Sequence, residues 1–142
     1  MSLLDFTDFL STGARVAFGS DEAEVRSVAV ASGLALVRTD VDPSYDAFVL
    51  SANGVDFVFE DAELMSLRFE ADRTGPLDVL GTSIDQGTTL EEFTHALDQA
   101  DIGWSSGLLA TGEPIVTTTA WVFCYFATEE PHCFVKAVST VP

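Results

Sequence analysis

Alternating apolar and polar positions predict the clearest strands of this chain between residues 45 and 70. Asn53-Gly54 separates two such runs and supplies the positive φ angles of a type I′ hairpin turn. The resulting register pairs Leu50 with Phe57 and Phe48 with Phe59 on one face, and Ser51 with Asp56 and Val49 with Val58 on the other. Residues 64–70 alternate in the same way. We therefore expect a three-stranded antiparallel meander over 45–70.

Three segments carry apolar residues at the spacing of an amphipathic helix. The first is a short docking helix at the N-terminus, with four residues on one face: Leu3, Phe6, Phe9 and Leu10. The second begins at the cap candidate Ser20, has acidic residues in its first turn and is expected to end near Gly33. The third follows a capping box from Thr88 to Glu91 and should span 89–99.

The chain after this third helix is again rich in strand-forming residues. Residues 102–114 contain several glycines and are expected to form a loop. Residues 115–127 are rich in threonine and aromatic residues, which favour a long strand. A last strand is expected over 132–139, after a turn that contains Glu129, Glu130 and Pro131.

These elements predict one α+β domain over residues 1–142. An antiparallel sheet of two meanders should have helices packed on one face. The order of helix followed by strands occurs in 20–70 and again in 88–139, joined by a connector at 71–82. Because the halves share no residue-by-residue identity, they form at most a weak tandem repeat. With 142 residues, 47% of them hydrophobic, the chain can bury such a core without a metal or a disulfide.

The charge of the chain narrows the classes of function. Its 23 Asp and Glu residues against 6 Lys and Arg give a formal net charge of −17. This balance argues against nucleic acid, whose phosphates bind Lys and Arg, and against docking on an anionic membrane leaflet. It favours a basic protein partner, which opposite charge would steer into contact. Adaptation to a saline cytoplasm would give a similar composition, so both explanations stay open.

Acidic residues are densest near two predicted turns, at 56–63 and at 129–130. If the two meanders align, these turns would form one acidic rim beside Trp104 and Trp121. Aromatic anchors with a polar border are common at protein interfaces. The alternative interpretation is that the acids are solvated turns and the tryptophans belong to the core. The candidates for partner binding are Asp56, Glu60, Asp61, Glu63, Trp104, Glu129 and Glu130.

One motif suggests catalysis. Residues 103–107 match the G-x-S-x-G pattern of a hydrolase nucleophile elbow, with Ser105 in the nucleophile position. The elbow needs a strand before the serine and a helix after it, whereas here a helix precedes the serine and a loop follows it. Glycine–serine turn chemistry therefore explains the match, and we expect no enzyme. A small hydrolase that uses Ser105 remains the catalytic alternative.

The sequence contains no spacing typical of a metal or cofactor site. The soft ligand candidates lack C-x-x-C or H-x-x-x-H spacing: His95, Cys124, His132 and Cys133. Residues 40–46 resemble a calcium loop but lack the glycine at its sixth position, and Ser51 replaces the glutamate at its twelfth. This segment is therefore expected to be a solvated Asp-Pro turn. We expect neither a metal nor a cofactor.

The N-terminal residues and the cysteines indicate a cytoplasmic protein. The first charges are acidic and the first base is Arg15, unlike the basic beginning of a signal peptide. Cys124 and Cys133 are expected to be reduced thiols. Whether they are close enough to form a disulfide depends on a strand register that the sequence does not determine. The sequence is compatible with a monomer or a homodimer.

The chain resembles the small acidic immunity proteins that protect bacteria from their own polymorphic toxins. The resemblance lies in the capped helix TTLEEF at 88–93 and the aromatic strand WVFCYF at 121–126. The order of elements over 20–139 is also similar to that of beta-lactamase inhibitory protein and related tandem α/β folds. These resemblances imply a stoichiometric inhibitor that blocks a basic toxin, with no catalytic residues.

A second resemblance is to the type III secretion chaperones, which are small, acidic, α+β and usually dimeric. It implies a chaperone-like dimeric binding protein. Those chaperones generally have a C-terminal helix, whereas this chain ends in the residues VSTVP.

Overall fold

Two four-stranded meanders form one antiparallel sheet in the computed structural model, which describes residues 5–14 and 16–141. The first half contains α1 (Phe6–Thr12), α2 (Glu22–Ala31), β1 (Val37–Asp42), a 3₁₀ turn (Pro43–Tyr45), β2 (Ala47–Ala52), β3 (Val55–Glu60) and β4 (Glu63–Glu70). The connecting segment contains α3 (Ala71–Thr74), β5 (Leu77–Val79) and β6 (Thr82–Ile84). The second half contains α4 (Leu90–Gln99), β7 (Trp104–Leu108), β8 (Pro114–Thr118), β9 (Phe123–Phe126) and β10 (Phe134–Thr140).

The eight strands lie in the order β1-β2-β3-β4-β10-β9-β8-β7, and β5 and β6 form a separate hairpin. The last strands of the two meanders pair at the centre of the sheet, where Arg68 lies opposite Val138. The two edges of the sheet are β1 and β7. Each half is thus a helix followed by a four-stranded meander. The predicted α+β class with an antiparallel sheet is confirmed.

The hairpin at Asn53-Gly54 has the predicted register. Phe48 lies opposite Phe59 and Leu50 lies opposite Phe57. Asn53 and Gly54 both adopt positive φ angles, 52° and 79°, as a type I′ turn requires. Local turn chemistry and the alternation of apolar residues therefore agree here, which explains why the sequence alone determined the pairing.

The core lies between one face of the sheet and the helices, and phenylalanine rings fill its centre. The ring centroids of Phe9 and Phe69 are 4.5 Å apart and those of Phe93 and Phe134 are 5.0 Å apart. Phe6 joins the two groups, since its centroid lies 6.1 Å from that of Phe134. The predicted N-terminal docking helix is confirmed as α1, which buries Phe6, Phe9 and Leu10; Leu3 lies outside the described residues.

The opposite face of the sheet, here called the open face, carries half-buried side chains. Cross-strand neighbours on it include Val49–Val58, Arg68–Val138 and Val138–Phe123. The Nζ atom of Lys136 lies 5.0 Å from the centroid of Tyr125 on this face. The open face is therefore a mixture of aliphatic and aromatic residues with paired charges, since Asp56 lies opposite Arg68 and Glu70 lies opposite Lys136.

Both long helices begin with a capping box, and each cap residue lies one position later than predicted. The cap of α2 is Asp21 rather than Ser20, and the cap of α4 is Thr89 with Glu92 rather than Thr88 with Glu91. A local hydrogen bond in the turn before α4 explains the second shift. The hydroxyl of Thr88 accepts a hydrogen bond from the backbone N–H of Asp85 (2.9 Å), so it is not free to cap the helix.

Neither edge strand was expected from the sequence. Residues 37–42 form β1, so the solvated Asp-Pro turn expected over 40–46 is confined to the exposed 3₁₀ turn Pro43–Tyr45, and β7 occupies part of the predicted loop at 102–114. An edge strand contacts one neighbour only, so its residues need no strict apolar alternation. The predicted long strand at 115–127 is two strands, because a turn at 119–122 interrupts it and Trp121 adopts a φ of 63°. The predicted connector at 71–82 contains α3 and β5.

Candidate protein-binding site

Three acidic segments meet at one end of the first meander. In the turn between β3 and β4, the N–H of Asp61 donates to the carbonyl of Tyr45 (3.0 Å) and the N–H of Ala62 donates to that of Asp46 (3.2 Å). The N–H of Leu64 donates to the carbonyl of Ser20 (2.9 Å), just before α2. We call the exposed acids of these segments the acidic corner: Asp21, Glu24, Asp46, Glu60, Asp61 and Glu63.

Turn chemistry fixes the backbone of the acidic corner. Asp46 and Asp61 adopt left-handed φ angles of 46° and 52°, which aspartate tolerates better than most residues. Asp42 accepts hydrogen bonds from the N–H (3.1 Å) and the hydroxyl (2.6 Å) of Ser44, which closes the 3₁₀ turn. The carboxylates of the corner therefore project from a defined backbone rather than from a loop of many conformations.

An exposed aromatic residue accompanies these acids. The side chain of Tyr45 is 66% exposed and belongs to the turn that contacts Asp61. Tyrosine presents apolar area with a hydrogen-bonding tip, and it is enriched among the residues that dominate interface energies. The candidates from the sequence did not include Tyr45 and Asp46, nor Asp21 and Glu24 at the start of α2. The signal that could have found Tyr45 and Asp46 is their place in the Asp-Pro turn directly before the well-predicted hairpin.

The nearby arginines are bound to other acids. Glu22 accepts from Arg38 Nη1 (2.6 Å) and from Arg26 Nε (2.8 Å). Arg38 also donates a hydrogen bond to Asp40 (2.8 Å), which raises the pKa of Arg38. The guanidinium carbon of Arg38 lies 4.0 Å from the ring centroid of Phe48. Within residues 5–14 and 16–141, the six acids of the corner are in no ion pair. Asp21 and Glu24 also accept the capping-box hydrogen bonds of α2, whereas the charge of the other four acids is available to a partner.

Asp56 is not part of this exposed surface. It is 8% exposed and accepts hydrogen bonds from Arg73 Nη1 (2.5 Å) and Ser51 Oγ (2.7 Å). The hydrogen bond with Asp56 raises the pKa of Arg73. The pair holds α3 against the hairpin of β2 and β3, so the carboxylate of Asp56 is engaged inside the protein.

Glu129 and Glu130 lie at the other end of the sheet. The turn of the acidic corner lies at the first residue of β4. The loop that carries Glu129 and Glu130 lies at the last residue of β4, because Glu70 pairs with Lys136 near the start of β10. The length of β4, eight residues, separates the two ends by ~26 Å at about 3.3 Å per residue. The single acidic rim expected from the sequence therefore does not form.

The two tryptophans lie far from the acidic corner along the sheet. Trp104 begins the edge strand β7, and its Nε1 donates to Asp98 (2.8 Å). Four strand spacings separate β7 from β4, which corresponds to ~19 Å at about 4.8 Å each. Trp121 is 72% exposed in the turn between β8 and β9. Both tryptophans belong to the surface around β7 rather than to the corner.

The residues considered for catalysis do not converge. Ser105 is an exposed residue inside β7, not the residue of a turn between a strand and a helix. His95 is exposed on α4, and Nδ1 of His132 lies 2.9 Å from the carbonyl oxygen of Ala127. In the described part of the chain, no hydrogen bond joins Ser105 to either histidine.

Residues 5–14 and 16–141 contain neither a cluster of metal ligands nor a membrane-spanning helix. No group of three His, Cys, Asp or Glu side chains could hold a metal ion there. Of the helices that these residues form, none has the length and apolar character to cross a membrane.

The two cysteines are free thiols in different environments, and we predict different reactivities for them. Cys124 is fully buried in β9, and burial raises the pKa of its thiol, so little of the reactive thiolate forms at neutral pH. Cys133 is half-buried at the end of the β9–β10 loop.

We expect a thiol-specific reagent to modify Cys133 in the native protein and Cys124 only after unfolding. Counting modified thiols by mass spectrometry tests this; native modification that persists in Cys133→Ser would contradict it.

A comparison of the chain with protein-family models, with curated proteins and with solved structures found no match.

Proposed function

We propose that the protein is a non-catalytic binding module that forms a stoichiometric complex with a basic protein at the acidic corner. The observation that carries this proposal is the junction of the three segments. It brings six exposed carboxylates, none of them in an ion pair within the described residues, to the same end of the sheet as the exposed Tyr45. The resemblance to immunity proteins supports the same mode of action, in which the module blocks a toxin by occupying its surface.

Charge and the aromatic residue have separate roles in this proposal. The formal charge of −17 attracts a basic partner over a distance, which raises the association rate at low salt. Tyr45 contacts the partner only after docking, so it slows dissociation. The acidic corner sets the orientation, because it is the end of the sheet where the charge is concentrated beside an aromatic anchor.

We expect Glu60→Lys/Glu63→Lys to slow association with the basic partner by about 10- to 100-fold at low salt. The matched control is Glu129→Lys/Glu130→Lys, which reverses two charges at the opposite end of the sheet. The partner is first isolated from lysate of the source organism at low salt, with all three proteins as baits. Stopped-flow kinetics with the purified partner then give the rates.

The proposal requires the control variant to associate nearly as fast as the unchanged protein. Equal slowing by both variants would mean that total charge matters rather than the corner. A complex that high salt does not weaken would also contradict the proposal.

Tyr45→Ala should accelerate dissociation by roughly tenfold or more and leave the association rate nearly unchanged.

A further inference from the structure

The edge strand β7 has unpaired backbone groups on its outer side. In an antiparallel edge strand, successive residues direct their N–H and C=O groups toward the neighbouring strand and away from it in turn. The N–H of Leu109 donates to the carbonyl of Glu113 (2.9 Å) and the N–H of Thr119 donates to that of Gly103 (3.0 Å). The odd-numbered residues therefore face β8, and the residues that face outward are Trp104, Ser106 and Leu108.

The two edges of the sheet differ in their protection against pairing with another strand. The edge strand β1 carries Arg38, Asp40 and Asp42 and has an irregular register between the two aspartates. Charges and bulges of this kind prevent edge-to-edge association. By contrast, residues 102–112 contain no charged residue, and Leu108 is 75% exposed. Only one of the two edges is therefore open to strand addition.

We infer that two copies of the chain associate by pairing β7 with β7 in antiparallel orientation. A two-fold axis at Ser106 places Ser106 opposite its counterpart and Trp104 opposite Leu108 of the second copy. All three outward-facing residues then find partners, and each pair exchanges two backbone hydrogen bonds. The two eight-stranded sheets become one continuous sheet.

The self-complementary register of β7 identifies a second copy as the occupant of this edge. Each copy has a formal charge of −17, so two copies repel each other at most orientations. The segment 102–112 contains no charged residue, so two such molecules can approach along it. The acids beside it add a repulsion that salt screens: Asp101 and Glu113 at its ends, and Asp98, which accepts a hydrogen bond from Trp104. The strand β7 is self-complementary. Antiparallel pairing about Ser106 places Trp104 of one copy beside Leu108 of the other, so an aromatic and an aliphatic side chain become cross-strand neighbours.

This association should respond to salt in the opposite sense to the complex with a basic partner. Raising the ionic strength from about 0.1 M to about 1 M shortens the Debye length from about 10 Å to about 3 Å. Because both copies are acidic, screening removes repulsion and favours the dimer. Screening weakens the attraction at the acidic corner instead. The two associations can therefore be distinguished with the same protein.

Sedimentation velocity of the full chain at both salt concentrations tests this inference. We expect a monomer–dimer equilibrium that shifts toward dimer at high salt. Ser106→Pro removes an N–H that points away from β8, a position that proline tolerates in edge strands, and it should weaken the dimer at least tenfold. Leu108→Lys adds a charge at the same edge and should act in the same direction. Val41→Lys is the matched control on β1, where Val41 is 67% exposed.

Each outcome decides the inference. A monomer at both salt concentrations overturns it, as does a dimer that Leu108→Lys and Val41→Lys weaken equally. Circular dichroism of Ser106→Pro establishes whether the variant is folded. If it is not, Leu108→Lys, whose side chain is exposed, provides the decisive comparison.

Discussion

Phe134→Ala should lower the free energy of unfolding by about 4 kcal/mol, a large share of the stability of an ordinary domain. The ring of Phe134 is 1% exposed, and its centroid lies 5.0 Å from that of Phe93, 5.9 Å from that of Phe126 and 6.1 Å from that of Phe6. It therefore contacts residues of α1, α4 and β9 at once. Removing it leaves a cavity that the surrounding rings cannot fill without moving these elements. Urea denaturation measures the change.

Phe123→Ala is the matched control for Phe134→Ala, because it removes the same atoms from the open face. Phe123 is half-buried in β9, and its cross-strand neighbours are Val138 and Thr117. We expect it to cost about 1 kcal/mol, since a side chain near solvent leaves no closed cavity. Equal losses from the two variants would mean that the open face is as tightly packed as the core.

Gly54→Ala should lower the free energy of unfolding by about 3 kcal/mol, for two reasons that add. Gly54 has a φ of +79°, in the region that side chains disfavour. A Cβ atom there would also overlap the carbonyl carbon and oxygen of Arg73 and approach the nitrogen of Thr74 to 2.6 Å. These are backbone atoms of α3, so the overlap can be relieved only by moving that helix away from the hairpin.

Gly33→Ala separates the two reasons. Gly33 has a similar φ of +74°, but a Cβ atom there would meet nothing within 4 Å. It should therefore cost only the backbone term, about 1 kcal/mol. In a chain of this length, 1 kcal/mol corresponds to about 3 °C in Tm. Thermal unfolding followed by circular dichroism compares the variants, and equal shifts in Tm would contradict the overlap with α3.

Local signals explain what the sequence predicted correctly. Asn53-Gly54 determines its hairpin because the turn type and the alternating side chains require the same register. The edge strands lack such an alternation of apolar and polar residues. Residues 37–42 are mostly exposed and so need no apolar face, and residues 104–108 include glycine and serine, which do not favour strands. The turn at 119–122 was hidden within a run of threonine and aromatic residues. Strand propensity cannot detect a turn that depends on one residue, Trp121, with a positive φ.

The candidate site depends on contacts between distant parts of the chain, and for this reason the sequence predicted only some of it. Glu60, Asp61 and Glu63 could be found from their density in one turn. The approach of Tyr45 and Asp46 to that turn is a tertiary event, which the sequence pattern does not contain. The engagement of Asp56 has the same origin, because α3 arrives above the hairpin only in the folded protein.

The pairing of β4 with β10 has a consequence for synthesis on the ribosome. Paired residues such as Arg68 and Val138 are half the chain apart in sequence. When the first meander has emerged, β4 is therefore an unpaired edge that bears the apolar side chains of the future core. It stays so until β10 has been made. A pause in translation between the two halves prolongs the time during which β4 can pair with the wrong strand, so the central seam of the finished sheet is open to mispairing during biosynthesis.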